Sequence, residues 1–118
     1  MVKRITLAAL ALCIAASANA ATVRLKNYTK PADEKQRTLN AAYLDGLKDG
    51  LIVLNIALAR NGGAPLFCLP PDKVFTGEQA DGVLMREAKS APEPDDMPIG
   101  IVLLAGLRKT FPCGGQSK

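Results

Sequence analysis

The chain has 118 residues, with 15 lysines and arginines against 11 acidic residues, a formal net charge of +4, and no histidine at all. That length allows one small domain with a modest core. The missing histidine excludes Ser-His-Asp and Cys-His nucleophilic catalysis, histidine-ligated zinc, and the commonest general acid or base.

Residues 1–20 read as a cleaved secretory leader. Lys3 and Arg4 form a short positive start, Ile5 to Ala16 an apolar run, and Ser17-Ala18-Asn19-Ala20 a small-residue A-x-A site. Cleavage is expected between Ala20 and Ala21. The apolar run falls short of the roughly 20 residues a bilayer span needs, and Leu12 is too large for a lipoprotein site at Cys13. Without the leader, 98 residues remain, carrying 13 basic against 11 acidic side chains. There is no Lys/Arg cluster and few aromatics, so neither phosphate neutralisation nor base stacking is provided for, and no nucleic acid is expected as a partner. Nor is a membrane expected once the leader is gone. The leader implies an oxidising compartment beyond the membrane.

Residues 21–31, "ATVRLKNYTK" and Pro31, read as a lead-in, either a short strand or a flexible arm. A helical domain is expected over residues 32–118. Its first helix spans about Ala32 to Arg60, with Leu39, Tyr43, Leu47, Leu51, Leu54 and Leu58 as its apolar stripe. Pro31 suits the first turn, Asp33 and Glu34 complement the positive end of the dipole, and Asn61-Gly62-Gly63 with Pro65 stops it. "LIVLNIALA" is apolar on nearly every face, which calls for burial on several sides or for a partner chain. Gly46 and Gly50 each cost about 1 kcal/mol of helix propensity; a close approach by another helix and a kink both account for them.

Thr76-Gly77-Glu78-Gln79 fits a capping box opening a helix to about Ser90 that buries Ala80, Val83, Leu84 and Ala88. An acidic loop follows, "APEPDDMP". The last helix runs from Pro98 or Ile99 to Lys109, with Ile99, Leu103, Leu107 and Phe111 on one face. The fold class expected is all-α: a small single-domain helical bundle stapled by one disulfide.

That staple is the pair left after Cys13 departs with the leader. Two cysteines and no histidine cannot complete a common zinc site, and no C-x-x-C spacing or activating neighbour marks a redox centre. In an oxidising space the default for Cys68 and Cys113 is a bridge. The carboxylates Asp45 and Asp49 share a helix face at i, i+4. They are weighed as a cation or acid–base site against a solvated face, with no other polar residue evident beside them. No catalytic residue, metal or cofactor is expected, and the enzyme reading is set aside.

The sequence "AYLDGLKDG", then "FCLP", a helix opening T-x-x-Q, a proline-containing break and a closing "FPC" together resemble the Rap/Tai family. These are periplasmic immunity proteins that neutralise peptidoglycan-amidase effectors of the type VI secretion system. The resemblance covers roughly Leu39 to Cys113, with Ala42 where a glycine often precedes the tyrosine. It implies an inhibitor, often dimeric, that inserts surface elements into the amidase's active-site cleft. Tyr43, Gly46, Phe67, Cys68, Pro70, Gln79, Phe111, Pro112 and Cys113 match as scaffold positions and do not name the inhibitory surface. For that surface the proline-stiffened loop is the candidate, through Glu93, Asp95, Asp96 and Met97, weighed against an ordinary solvated connection. The alternative function is a periplasmic helical binding or stress-protection module, chaperone-like, without an effector.

Overall fold

The computed structural model describes residues 22–90 and 94–114. Among them the helices are α1 (Leu25–Thr29), α2 (Glu34–Arg60), α3 (Gly77–Ser90) and α4 (Ile99–Thr110), with no strand. The lead-in is therefore a single helical turn. All that remains of the strand alternative is one isolated antiparallel bridge between Arg24 and Pro98.

The ends of α2 follow from local chemistry. Asp33 is extended and its carboxylate accepts from the Gln36 amide at 2.7 Å, a cap one residue inside the expected start. At the other end Gly62 adopts φ +78°. Gly63 N–H then reaches the Leu58 carbonyl (2.9 Å) and Gly62 N–H that of Ala59 (3.3 Å), the paired closing bonds that a left-handed residue permits. The capping box of α3 also forms. Thr76 N–H donates to Gln79 Oε1 (2.9 Å) and Gln79 N–H donates to the Thr76 hydroxyl (3.2 Å).

The core lies where α2, α3 and α4 converge. Leu44, Phe67, Ala80, Leu84, Ile99, Leu103 and Leu107 are almost wholly buried there. The buried line of α2 runs through Asn40, Leu44 and Lys48, not through the expected leucine stripe, and Leu39 and Leu54 are about half exposed. Two polar side chains can occupy that line because each is bonded. Asn40 donates to the Asn27 carbonyl (2.8 Å) and accepts from Gln36 Nε2 (2.8 Å), while Lys48 reaches Asp45. "LIVLNIALA" is not enclosed: Val53, Leu54 and Ile56 face solvent.

Helices α3 and α4 pack tightly at Gly106. A Cβ there would stand 2.7 Å from Val83 Cγ1 and 3.1 Å from the Val83 carbonyl oxygen. Nearby, Lys109 Nζ reaches the buried Glu87 carboxylate at 2.8 Å, tying the far ends of the two helices. Gly106→Ala is expected to destabilise by up to about 2 kcal/mol. Alanine's gain of about 1 kcal/mol in helix propensity is outweighed by overpacking of about 1–3 kcal/mol. Urea unfolding checks this, and an alanine variant more stable than the parent would contradict so tight a contact. At Gly46 and Gly50, by contrast, a Cβ would meet nothing within 4 Å, so no other helix among the described residues approaches them.

The staple is present. Cys68 and Cys113 are joined with an S–S distance of 2.00 Å and their Cα atoms 5.0 Å apart. Around it Cys68 N–H donates to the Phe111 carbonyl (2.8 Å), and Phe75 meets Phe111 edge to face at 5.6 Å between centroids. Asn55 fastens the same loop from beneath. Its Nδ2 donates to the Phe67 carbonyl (2.7 Å), and its Oδ1 accepts from Leu66 N–H (2.6 Å) and, more distantly, Phe67 N–H (3.4 Å).

Candidate binding surface

The described part of the acidic proline loop, residues 94–98, is braced by the start of the domain. Leu25 and Lys26 N–H donate to the carbonyl oxygens of Met97 and Asp95, and the Arg24 guanidinium donates to that of Asp96, each at 2.9 Å. Ile99 N–H returns a bond to the Val23 carbonyl at 3.1 Å. Three consecutive loop carbonyls are thus occupied by groups far away in sequence, which holds the backbone while the carboxylates of Asp95 and Asp96 stay exposed. Met97 is half-buried and packs against the core, so the loop presents acid groups more than an apolar tip. Glu93, Ala20 and Ala21 lie outside the described residues.

The brace is itself anchored. Leu25 is buried in the core, and the Tyr28 hydroxyl donates to Asp81 on α3 at 2.5 Å. Burial, reinforced by that carboxylate, pushes the Tyr28 hydroxyl's pKa well above the usual phenol range. It therefore stays a donor throughout the physiological range.

Asp45 and Asp49 do share a face of α2, but Lys48 stands between them, an arrangement the i, i+4 spacing alone did not bring out. Its ammonium lies 2.7 Å from Asp45 Oδ1 and 3.2 Å from Asp49 Oδ1. The hydrogen bond to Asp45 is the main reason its pKa is raised above the lysine norm, against the opposing effect of burial. A group raised in the folded state stabilises below its unfolded pKa and loses that contribution only as pH climbs through the folded value. The cluster is thus intact from neutral to mildly alkaline pH. The signal was available, because lysine three residues after one aspartate and one before the other can reach both.

A second feature left no trace in the sequence pattern. Between the later half of α2 and the loop after Cys68 runs an open groove of about 600 Å³, with Ile52, Ile56, Pro70, Val74 and the exposed Cys68 among its walls. Val74 at its rim is 85% exposed. Among the described residues no three His, Cys, Asp or Glu side chains gather as a metal site would require, and no helix is long and apolar enough to cross a membrane.

These features define a class: a small disulfide-stapled helical domain in which Glu34, Asp45, Asp49, Asp81 and Glu87 are tied to a neighbouring cation or tyrosine while Asp95 and Asp96 are displayed on a braced loop. The chain belongs to the family of Rap1a immunity proteins, whose sequence pattern it matches over residues 6–113. Membership implies that it binds a protein effector. Comparison with curated proteins and with solved structures returns no match.

Proposed function

We propose that the protein is a periplasmic inhibitor, exported with its leader removed, that neutralises a peptidoglycan amidase delivered by type VI secretion. It acts as a pair of identical subunits and blocks the amidase by occluding its active site. The match to the immunity family over residues 6–113 carries this reading. Occlusion requires no catalytic residue from the inhibitor, in keeping with a chain that has no histidine. The braced loop supports the choice of surface. Its backbone is held before binding, so less conformational entropy is lost on docking, while Asp95 and Asp96 remain free to meet donors in a cleft.

The test is co-expression with an amidase-type product of an adjacent gene, followed by isolation of the complex. A stoichiometric complex and restored growth are expected. Asp95→Ala combined with Asp96→Ala should weaken inhibition by about tenfold or more without changing the melting temperature, because the brace uses backbone carbonyls. Absence of both complex and protection overturns the reading. Indiscriminate binding of unfolded proteins would point instead to a chaperone-like module.

A further inference from the structure

We propose that the Cys68–Cys113 bridge undergoes thiol–disulfide exchange at one end only. An incoming thiolate attacks Cys68 Sγ, and Cys113 is the resolving thiol that closes the bridge again. This goes beyond the inhibitor reading and does not depend on it.

The two joined residues differ in what surrounds them. Cys68 is exposed and belongs to the wall of the open groove beside α2, so a thiol can approach it from solvent. Cys113 is only 8% exposed, and its Sγ lies 3.9 Å from the Pro65 carbonyl oxygen. Exchange requires a thiolate to reach one sulfur from the side opposite its S–S partner, so access decides which of the two is attacked.

In the first step the thiolate of the reductant forms a new S–S bond to Cys68 Sγ. The Cys68–Cys113 bond breaks, and its electron pair leaves with Cys113 Sγ, which takes a proton from water. Burial favours the neutral thiol there over the charged thiolate, and the Pro65 carbonyl oxygen is placed to accept from it. The product is a mixed disulfide on an exposed residue, with a buried thiol behind it.

The second step depends on the junction keeping its shape. Cys68 N–H donates to the Phe111 carbonyl, Phe75 meets Phe111 edge to face, and Asn55 grips the backbone of Leu66 and Phe67. None of these contacts requires the bridge. They keep the two cysteine Cα atoms, 5.0 Å apart in the bridged protein, close together once the bond is open. Cys113 is thus held at high effective concentration beside the mixed disulfide. On losing its proton it attacks Cys68 Sγ and expels the incoming thiol as a thiolate, which restores the bridge with no net oxidation. Starting from the reduced protein, Cys68 is likewise the entry point for an oxidising disulfide. Its thiolate displaces one sulfur of that disulfide and Cys113 then displaces the other, so two electrons pass from the cysteine pair to the oxidant.

Oxidised glutathione and the single-cysteine variants test this under native conditions, with mass spectrometry as the readout. Cys113→Ser should take up one glutathione on Cys68 at least about tenfold faster than Cys68→Ser takes one up on Cys113. The two rates should converge in denaturing urea, where neither thiol is shielded. A second arm needs no substitution: in the parent, reduced and pulsed with iodoacetamide without denaturant, Cys68 should be labelled first. If either variant loses its helical circular dichroism, the pulse on the parent decides. Reduced parent given oxidised glutathione should regain the bridge without accumulating an adduct. Equal rates in the folded variants, a difference that persists in urea, or a pulse that labels Cys113 as fast as Cys68 overturns the proposal. An adduct that persists on the parent removes the resolving role of Cys113 and overturns it equally.

Discussion

Replacing either bridge cysteine with serine is expected to lower the melting temperature by about 15–30 °C. The bridge joins residues 45 apart. Closing a loop of that length removes unfolded-state entropy worth about 4 kcal/mol in the chain-entropy model, and each kcal/mol moves the midpoint of a domain this small by about 4–8 °C. Cys68 is exposed and Cys113 buried, so Cys113→Ser should be slightly the worse of the two. The double variant should melt close to the singles, because one open ring cannot be opened twice. All three variants should still fold, since the Cys68–Phe111 backbone bond and the Phe75–Phe111 contact span the same junction. A single variant as stable as the parent, or a double variant with summed losses, would contradict the staple.

The second large effect is expected at Asn55, where the sequence pattern invites a leucine. Asn55→Ala should cost about 2–4 kcal/mol. It strands the Leu66 amide and the carbonyl of the buried Phe67, and an unsatisfied buried polar group costs about 1–3 kcal/mol. Asn55→Leu should fare no better, although it makes "LIVLNIALA" wholly apolar. Denaturant unfolding of the two variants decides the matter: if leucine equals the parent, apolar burial holds the loop and the amide does not.

Asn55 also shows where sequence reasoning stops. Helix ends, caps and the cysteine pair were legible because each depends on residues close together in the chain or on a count: Thr76 with Gln79, Gly62 with its φ, two cysteines left after Cys13. The inward face of α2 was displaced by roughly 60° around its axis, because the leucine pattern is blind to Asn40, Lys48 and Asn55. Those residues face inward only because partners meet them there, and the Asn27 and Phe67 carbonyls belong to other segments. Helix α1 escaped for the same reason. Five residues show no period, and the turn is held by hydrogen bonds to residues 95 and 97. Of the candidate surface, the loop's acidity was readable; the brace behind it and the groove beside Cys68 were not.

The brace bears on when this fold can complete during biosynthesis. Arg24 bonds to a residue 72 positions later, and the Arg24–Pro98 bridge and the Ile99 N–H to Val23 bond are of similar span. The earliest segment of the domain to be synthesised therefore has its partners almost at the end. Helices α2 and α3 can form beforehand, but the N-terminal turn must wait, and such non-local closure slows folding. For a chain exported as proposed, this delay is useful: translocation needs an unfolded polypeptide, and here the brace cannot close until residues 95–99 have crossed, nor the staple until Cys113 has followed.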